Sequence, residues 1–173
     1  QHKVYLDAAT GLPNKNKCEE LLDDPTPPAP ETGVCSFDLN NLRRINNSMG
    51  HEAGDAYIRR FAVALRAAMP EEHFVGRAGG DEFLAVTHGP DANALQELLS
   101  HVRKQLAEES RHHPDTPLSY AAGYALASDF PGSTMRELFS FADKNMYINK
   151  NHVKREEAAA EKRLDFHLLK LLN

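Results

Sequence analysis

Apolar residues run along the chain in two patterns, one with helical spacing and one continuous. In Asp55–Met69 and again in Ala92–Glu109, apolar residues recur every three or four positions. This spacing gathers apolar side chains on one face, so it predicts two amphipathic helices. The two faces consist of Ile58, Phe61, Ala62 and Leu65 in the first helix and Leu95, Leu98, Leu99, Val102 and Leu106 in the second.

Short continuous apolar runs predict strands. Four such runs are Gly33–Leu39, His73–Arg77, Glu82–Thr87 and Leu118–Ala127. A glycine pair lies between the second and third runs and predicts a hairpin, because glycine reaches positive φ without steric cost. Strands that alternate with helices predict an α/β or α+β domain with a single sheet.

Further helices, turns and loops follow from local signals. Short helices are predicted over Lys15–Leu22 and Asn40–Asn47, a turn over Gly50–Gly54 and a helix from Met135 to about Lys150. Thr134 and Glu137 have the spacing of a capping box, which indicates where that last helix begins. Four prolines within residues 23–31 exclude a helix or a central strand there and predict a surface loop.

The end of the chain, Val153–Asn173, is charged and then rich in leucine. It also predicts a helix, but it carries more leucines than a fully solvated helix would. The leucines are Leu164, Leu168, Leu169, Leu171 and Leu172.

Composition limits the classes of function. The length of 173 residues suits one domain. The formal net charge of −5 counts against a nucleic-acid coat or an anionic-membrane binder, because both need a basic face. No apolar run reaches the roughly 18 residues of a membrane span. Cys18 and Cys35 do not form a disulfide framework and indicate reduced thiols. We therefore expect a cytoplasmic domain without nucleic-acid or membrane contacts, although the full-length protein could be anchored to a membrane.

Two acidic positions stand out as candidate chemistry. Asp38 lies near the end of a buried apolar strand, where it is either a helix N-cap or a ligand for Mg²⁺, which prefers carboxylate and carbonyl oxygens. Asp81 and Glu82 follow the glycine pair Gly79-Gly80, where they form either an acidic turn or a metal site that a ligand can approach closely. Asp38 and Asp81 lie on elements that could pair in one sheet, and two such carboxylates can converge on one Mg²⁺.

Five motifs in order resemble the GGDEF domain family, the diguanylate cyclases of bacterial cyclic di-GMP signalling. The similarity covers residue 7 to about residue 154, and the family signature is intact within RAGGDEF. The motifs are Asp7–Asn14, Phe37–Asp55, Arg77–Phe83, Ser119–Ala125, and the segment from Ala142 to Lys150. The resemblance implies a five-stranded central mixed sheet surrounded by helices, a palm-like nucleotidyl cyclase fold. It also implies a GGDEF catalytic domain over residues 1–154, with the proline-rich loop 23–31, and a C-terminal helical extension over residues 155–173.

The resemblance also implies roles for individual residues at the metal. Asp38 and Asp81 would be carboxylate ligands, and the Leu39 carbonyl a third protein oxygen. Glu82 would support the metal or the reacting hydroxyl, so that Asp81 and Glu82 form the catalytic pair. Mg²⁺ is the expected ion, with Mn²⁺ as the alternative.

The substrate, by the same resemblance, is GTP. Asn46 and Asp55 would bind the guanine edge, and the backbone at Leu42 and Arg43 would hold the terminal phosphates at a helix N-terminus. Gly79 and Gly80 would let the backbone approach the nucleotide. Lys150 and Lys154 would neutralise the triphosphate, although without the family the usual interpretation of such lysines is a solvated helix face.

The resemblance also implies that catalysis needs a homodimer, because each domain would bind one GTP and each 3′-hydroxyl would attack the α-phosphate of the facing GTP. A sensor or dimerisation segment is expected before the opening turn. The alternatives are a GTP-binding regulatory module without turnover and a cyclase that makes another dinucleotide, against which Asp55 argues. Residues 70–73 lack the arginine and aspartate of the family's RxxD product-inhibition site, so we expect no feedback inhibition through it.

Overall fold

Four strands form one antiparallel sheet in the computed structural model, which describes residues 5–89 and 91–172. The sheet order is β2-β3-β1-β4, so β1 is central and β4 lies at one edge. The strands are β1 (Thr32–Leu39), β2 (Phe74–Arg77), β3 (Glu82–His88) and β4 (Tyr120–Leu126). The helices are α1 (Lys15–Leu22), α2 (Leu42–Met49), α3 (His51–Ala68), α4 (Ala92–Arg111) and α5 (Met135–Leu172).

Helices cover both faces of the sheet. Alternate residues of β1 point to opposite faces, as the pleat requires. Cys35, Phe37 and Leu39 pack in the cluster that contains the apolar faces of α3 and α4. Val34 packs in a second cluster with residues of α1 and α5. Asp38 is separated from Val34 by an even number of positions, so it lies on the α5 side of the sheet.

The expected α+β fold is confirmed, but the sheet that residues 5–89 and 91–172 form is four-stranded and antiparallel rather than five-stranded and mixed. The sequence from residue 135 to residue 172 contains no glycine or proline, so nothing interrupts the helix after β4. α5 bonds main-chain groups of the edge strand: Ala122 N–H donates to Asn149 Oδ1 at 3.0 Å, and Asn145 Nδ2 donates to the Tyr124 carbonyl at 3.0 Å. Asparagine side chains of α5 thus form hydrogen bonds with main-chain groups of the edge strand, which in a wider sheet would pair with another strand.

The predicted turn over Gly50–Gly54 is wrong for most of its length, because α3 begins at His51. Gly50 makes the bend between α2 and α3 alone, at φ 92°, a conformation that favours glycine.

The hairpin between β2 and β3 is confirmed, but its glycine pair does not have the positive φ that was expected of it. Within the described ranges the positive-φ glycines are Gly11, Gly50 and Gly132, so the hairpin pair is not among them.

The capping box at the start of α5 is confirmed. Glu137 N–H donates to Thr134 Oγ1 at 3.2 Å, and Thr134 N–H donates to Glu137 Oε1 at 3.0 Å. The predicted C-terminal helix is also present, but as a continuation of α5 rather than a separate element. No helix in the described part of the chain is both long and apolar enough to cross a membrane.

Candidate functional site

Pairing between β1 and β3 brings the sequence-predicted carboxylates to one end of the sheet. Asp38 is opposite Glu82 in the antiparallel register, and Leu39 N–H donates to the Asp81 carbonyl at 2.8 Å. The hairpin is closed by hydrogen bonds from the Ala78 and Gly79 N–H groups to the Glu82 carbonyl. The strand end and the hairpin tip are therefore fixed to each other by the main chain.

The carboxylates at this end of the sheet repel one another. Burial raises the pKa of Asp81 above its usual range, and the charge of Asp38 raises it further. Burial, followed by the charges of Asp143, Asp38 and Asp81, raises the pKa of Glu82 to about 7. A cation at this position would relieve the repulsion, so the local electrostatics favour a positively charged ligand or side chain.

Lys150 supplies such a charge. Its ammonium group lies 2.5 Å from Asp38 Oδ2, and both side chains are largely buried. Because α5 docks on the sheet next to Asp38, the lysine approaches from the helix side. The sequence suggested Lys150 as a partner of phosphate, whereas here it bonds a carboxylate that was expected to bind metal.

An open cleft of about 630 Å³ lies beside these groups. It is lined by Asp81, Lys150 and Lys154 and by the start of α2. The remaining lining residues are Leu39, Asn40, Asn41, Leu42, Arg43, Arg44, Asn47, Ser48 and Glu157. Cations from two helices and a carboxylate from the hairpin therefore share one cleft.

The N-terminus of α2 gives the cleft an anion-binding edge. The first hydrogen bond of the helix runs from Ile45 N–H to the Asn41 carbonyl, so the N–H groups of Leu42 and Arg43 have no acceptor within the helix. Asn41 has φ 70°, a left-handed conformation that lets the chain leave β1 and enter α2 abruptly. Free N–H groups and the helix dipole attract phosphate at such a place.

Other predicted residues lie outside the lining of this cleft. Asn46 packs against α3 at Gly54, where a Cβ would collide with Asn46 Oδ1. Asp55 is exposed one residue further along α3. Asn46 and Asp55 are therefore neighbours, as a shared guanine contact would require, but the cleft is lined by neither of them, nor by Gly79, Gly80 or Glu82.

Arg77 is a residue of the signature for which the sequence suggested no role. Its Nη2 donates to the Gly80 carbonyl at 2.7 Å, its Nε donates to the Gly79 carbonyl at 3.1 Å, and its Nη1 donates to the Asp7 carboxylate. Burial alone would raise the pKa of Asp7, but hydrogen bonds from Thr10 and Arg77 lower it overall. Arg77 thereby ties the hairpin carbonyls to the opening turn.

A second group that the sequence did not indicate surrounds Asn40. Its Nδ2 donates to Ser119 Oγ at 3.2 Å, and Ser119 Oγ donates to Glu157 Oε1 at 2.9 Å. The Tyr57 hydroxyl donates to the Asn40 carbonyl at 2.9 Å. Asn40 Oδ1 is buried without a hydrogen-bond partner. Asn40 and Ser119 each belonged to a motif, but no spacing in the sequence could link either of them to Glu157.

The site fits a hard divalent cation such as Mg²⁺ in part. Asp38 and Asp81 are close enough for the charge of one to raise the pKa of the other, and the Lys150 ammonium already stands where positive charge is favoured. The Leu39 carbonyl is adjacent and is also a hard oxygen donor. No three His, Cys, Asp or Glu side chains among the described residues are arranged as a metal cluster. Asp38, Asp81 and Glu82 thus do not form one, and other oxygens would have to complete the coordination.

Comparison with known sequences gives one family. The profile described as "Diguanylate cyclase, GGDEF domain" matches residues 4–156. Cyclic di-GMP phosphodiesterase PdeR of Escherichia coli (strain K12) is 31% identical over 147 residues, which are 83% of this chain and 22% of that protein. Diguanylate cyclase DgcP of Pseudomonas aeruginosa is 29% identical over 152 residues, which are 85% of this chain and 22% of that protein. The chain thus spans about a fifth of the length of these relatives.

Solved structures agree with this result. The GGDEF domain of DgcB from Caulobacter crescentus, in complex with c-di-GMP, superposes with a TM-score of 0.74 at 22% identity, and the match covers 86% of this chain and 91% of that one. A microbial GGDEF domain studied for its interaction with cyclic di-GMP has a TM-score of 0.69 at 29% identity, with 86% and 94% covered. The first likeness, given its low identity, shows the fold.

Proposed function

The chain belongs to the GGDEF domain family, whose setting is bacterial cyclic di-GMP signalling, and we propose that it is a diguanylate cyclase. The reaction condenses two molecules of GTP into cyclic di-GMP and releases two pyrophosphates. The observation that carries the proposal is the intact Gly79–Phe83 signature on a hairpin that holds Asp81 beside Asp38, at the edge of a cleft rich in cations. Relatives with this domain include proteins named cyclases and proteins named phosphodiesterases, so the family alone does not establish turnover.

Separate groups of residues bind the phosphates and the guanine of GTP. The N–H groups of Leu42 and Arg43, together with Lys154, hold the terminal phosphates, while Asn46 and Asp55 bind the guanine edge. An aspartate accepts from the N1–H and the amino group of guanine, a donor pair that adenine lacks. This assignment is supported by the position of the α2 N-terminus in the cleft and by the contact between Asn46 and α3.

Asp38, Asp81 and the Leu39 carbonyl would hold Mg²⁺ or Mn²⁺, and Glu82 would support the ion or the reacting hydroxyl. The ion would supply positive charge next to the phosphates. A bound ion would supply the positive charge that Lys150 now supplies to Asp38, so Lys150 could contact phosphate instead. This would reconcile its observed ion pair with its expected role.

One chain provides half of the reaction. Each 3′-hydroxyl must reach the α-phosphate of the facing GTP, so two copies have to meet across their clefts. The specific activity, that is, the rate per chain, should therefore rise with protein concentration. We further propose that the catalytic unit ends near residue 154 and that residues 155–173 form an extension, which is supported by the end of the family match at residue 156.

The decisive experiment is incubation of the chain, dimerised by fusion, with GTP and Mg²⁺ and identification of the product. We expect cyclic di-GMP, and we expect Asp81→Ala to lower the rate by at least about a hundredfold, since it removes a group that stabilises charge at the reacting centre. Asp165→Ala, an exposed aspartate on distal α5, is the matched control and should keep the rate. Tight GTP binding without product would instead identify a regulatory module.

A further inference from the structure

The face of α5 that borders the cleft carries positive charge first and negative charge further along the helix. Lys150, Lys154 and Glu157 are separated by four and three positions, so their side chains lie on one face of the helix. All three line the cleft. Because α5 continues without a break past Lys154, a carboxylate enters the same space as the two lysines and the N-terminus of α2.

Glu157 is held at the cleft by a specific contact. Its Oε1 accepts from Ser119 Oγ at 2.9 Å, and Ser119 Oγ in turn accepts from Asn40 Nδ2 at 3.2 Å. Asn40 belongs to the loop that leads into α2 and also lines the cleft. The contact thus fastens the carboxylate to the loop beside the free N–H groups of α2.

Glu157 also has no cationic partner within the salt-bridge distance among the described residues. Its negative charge is therefore not cancelled by direct pairing with Lys154, Arg43 or Arg44. A polyphosphate that enters the cleft would meet this charge along with the favourable cations. Because like charges repel over distances comparable to the Debye length, the carboxylate weakens binding even without touching the phosphates.

We propose that Glu157 sets the affinity of the cleft for nucleotides by repelling their phosphates, an inference that rests on the proposed binding of GTP there. The penalty grows with the number of phosphates. It is strongest for a triphosphate and absent for a nucleoside. Movement of distal α5 that breaks the contact with Ser119 would remove the penalty and tighten binding.

The test compares three versions of the full chain: unchanged, Glu157→Gln and Glu156→Gln. Glu156 is the matched control, since it is adjacent, exposed and pairs with His152 on another side of the helix. The probes are GMP, GDP and a GTP analogue with a methylene group between the α- and β-phosphates, which prevents turnover. Dissociation constants are measured by calorimetry at low and at physiological ionic strength.

We expect Glu157→Gln to bind the triphosphate about threefold more tightly at low ionic strength and to show a smaller gain with GDP and the smallest with GMP. Most of each gain should disappear at physiological ionic strength. Glu156→Gln should change none of these constants by more than about 1.5-fold. Equal affinities for the triphosphate in all three chains, or weaker binding by Glu157→Gln, would overturn the inference alone. Failure of every chain to bind any probe would overturn the proposed function, and the inference with it.

Discussion

The two halves of α5 are continuous in the backbone but differ in almost everything else. The first half packs on the sheet through Met135, Leu138, Ala142 and Met146, all of them buried. The second half exposes most of its large apolar side chains, among them Leu164, Leu168 and Leu172. The distal half contains no glycine or proline, and the helix continues through it although its apolar side chains are not covered by any described residue.

The difference explains how the site is built. Asn145, Asn149 and Lys150 act on the sheet because the docked half fixes their positions. Glu157 lies just beyond, where the helix has left the sheet but still borders the cleft. The docked half thus holds groups in fixed positions, whereas the distal half carries a charge that a partner could displace.

The largest expected effect comes from removal of a docking side chain. Leu138→Ala should lower the free energy of unfolding by about 2–5 kcal/mol, because a fully buried leucine leaves a cavity. Leu168→Ala, the same change in the distal half, should stay within about 0.5 kcal/mol. Urea denaturation followed by circular dichroism measures both.

Similar losses for these two leucine variants would show that distal α5 is also docked in solution. In that case the contrast between the halves would disappear, and the exposed leucines would have to belong to an interface.

A smaller loss is expected at Gly123 of β4, where main-chain atoms of α5 lie close to the strand. A Cβ on Gly123 would collide with main-chain atoms of Ala142 and Met146, so Gly123→Ala should cost about 1–3 kcal/mol in unfolding free energy. Gly80→Ala is the control, since a Cβ there meets no atom within 4 Å. If thermal unfolding showed no difference between the two variants, the helix would not rest on the strand as described.

Sequence reasoning predicted the elements better than their docking. The strands, the long helices and the capping box at Thr134 each depend on local spacing, which can be seen in the printed sequence. The approach of Asp38 and Asp81 followed from the prediction that their strands could pair in one sheet, and the family resemblance added their roles as metal ligands. The ion pair of Lys150 and the entry of Glu157 into the cleft depend on the angle and the length of α5, which no local pattern encodes.

Two errors had related causes. The turn expected over Gly50–Gly54 was wrong because Gly54 serves close packing against Asn46 rather than a bend. The glycine pair of the hairpin was expected to supply positive φ, yet neither residue uses it. A glycine can mark a bend or a close approach, and the sequence alone does not distinguish the two.

The smallest expected effect concerns the asparagine that serves the edge strand. Asn149→Ala leaves the Ala122 N–H without its acceptor, at a half-buried position, which should cost about 1–2 kcal/mol in unfolding free energy. Asn151→Ala removes an exposed asparagine two positions further along the same helix and should change stability by less than about 0.5 kcal/mol. Amide hydrogen exchange adds a local measurement, because the Ala122 N–H should lose protection in Asn149→Ala while the amides that pair β1 with β3 keep theirs. Unchanged protection at Ala122 would mean that water satisfies this edge equally well and that α5 docks through its apolar residues alone.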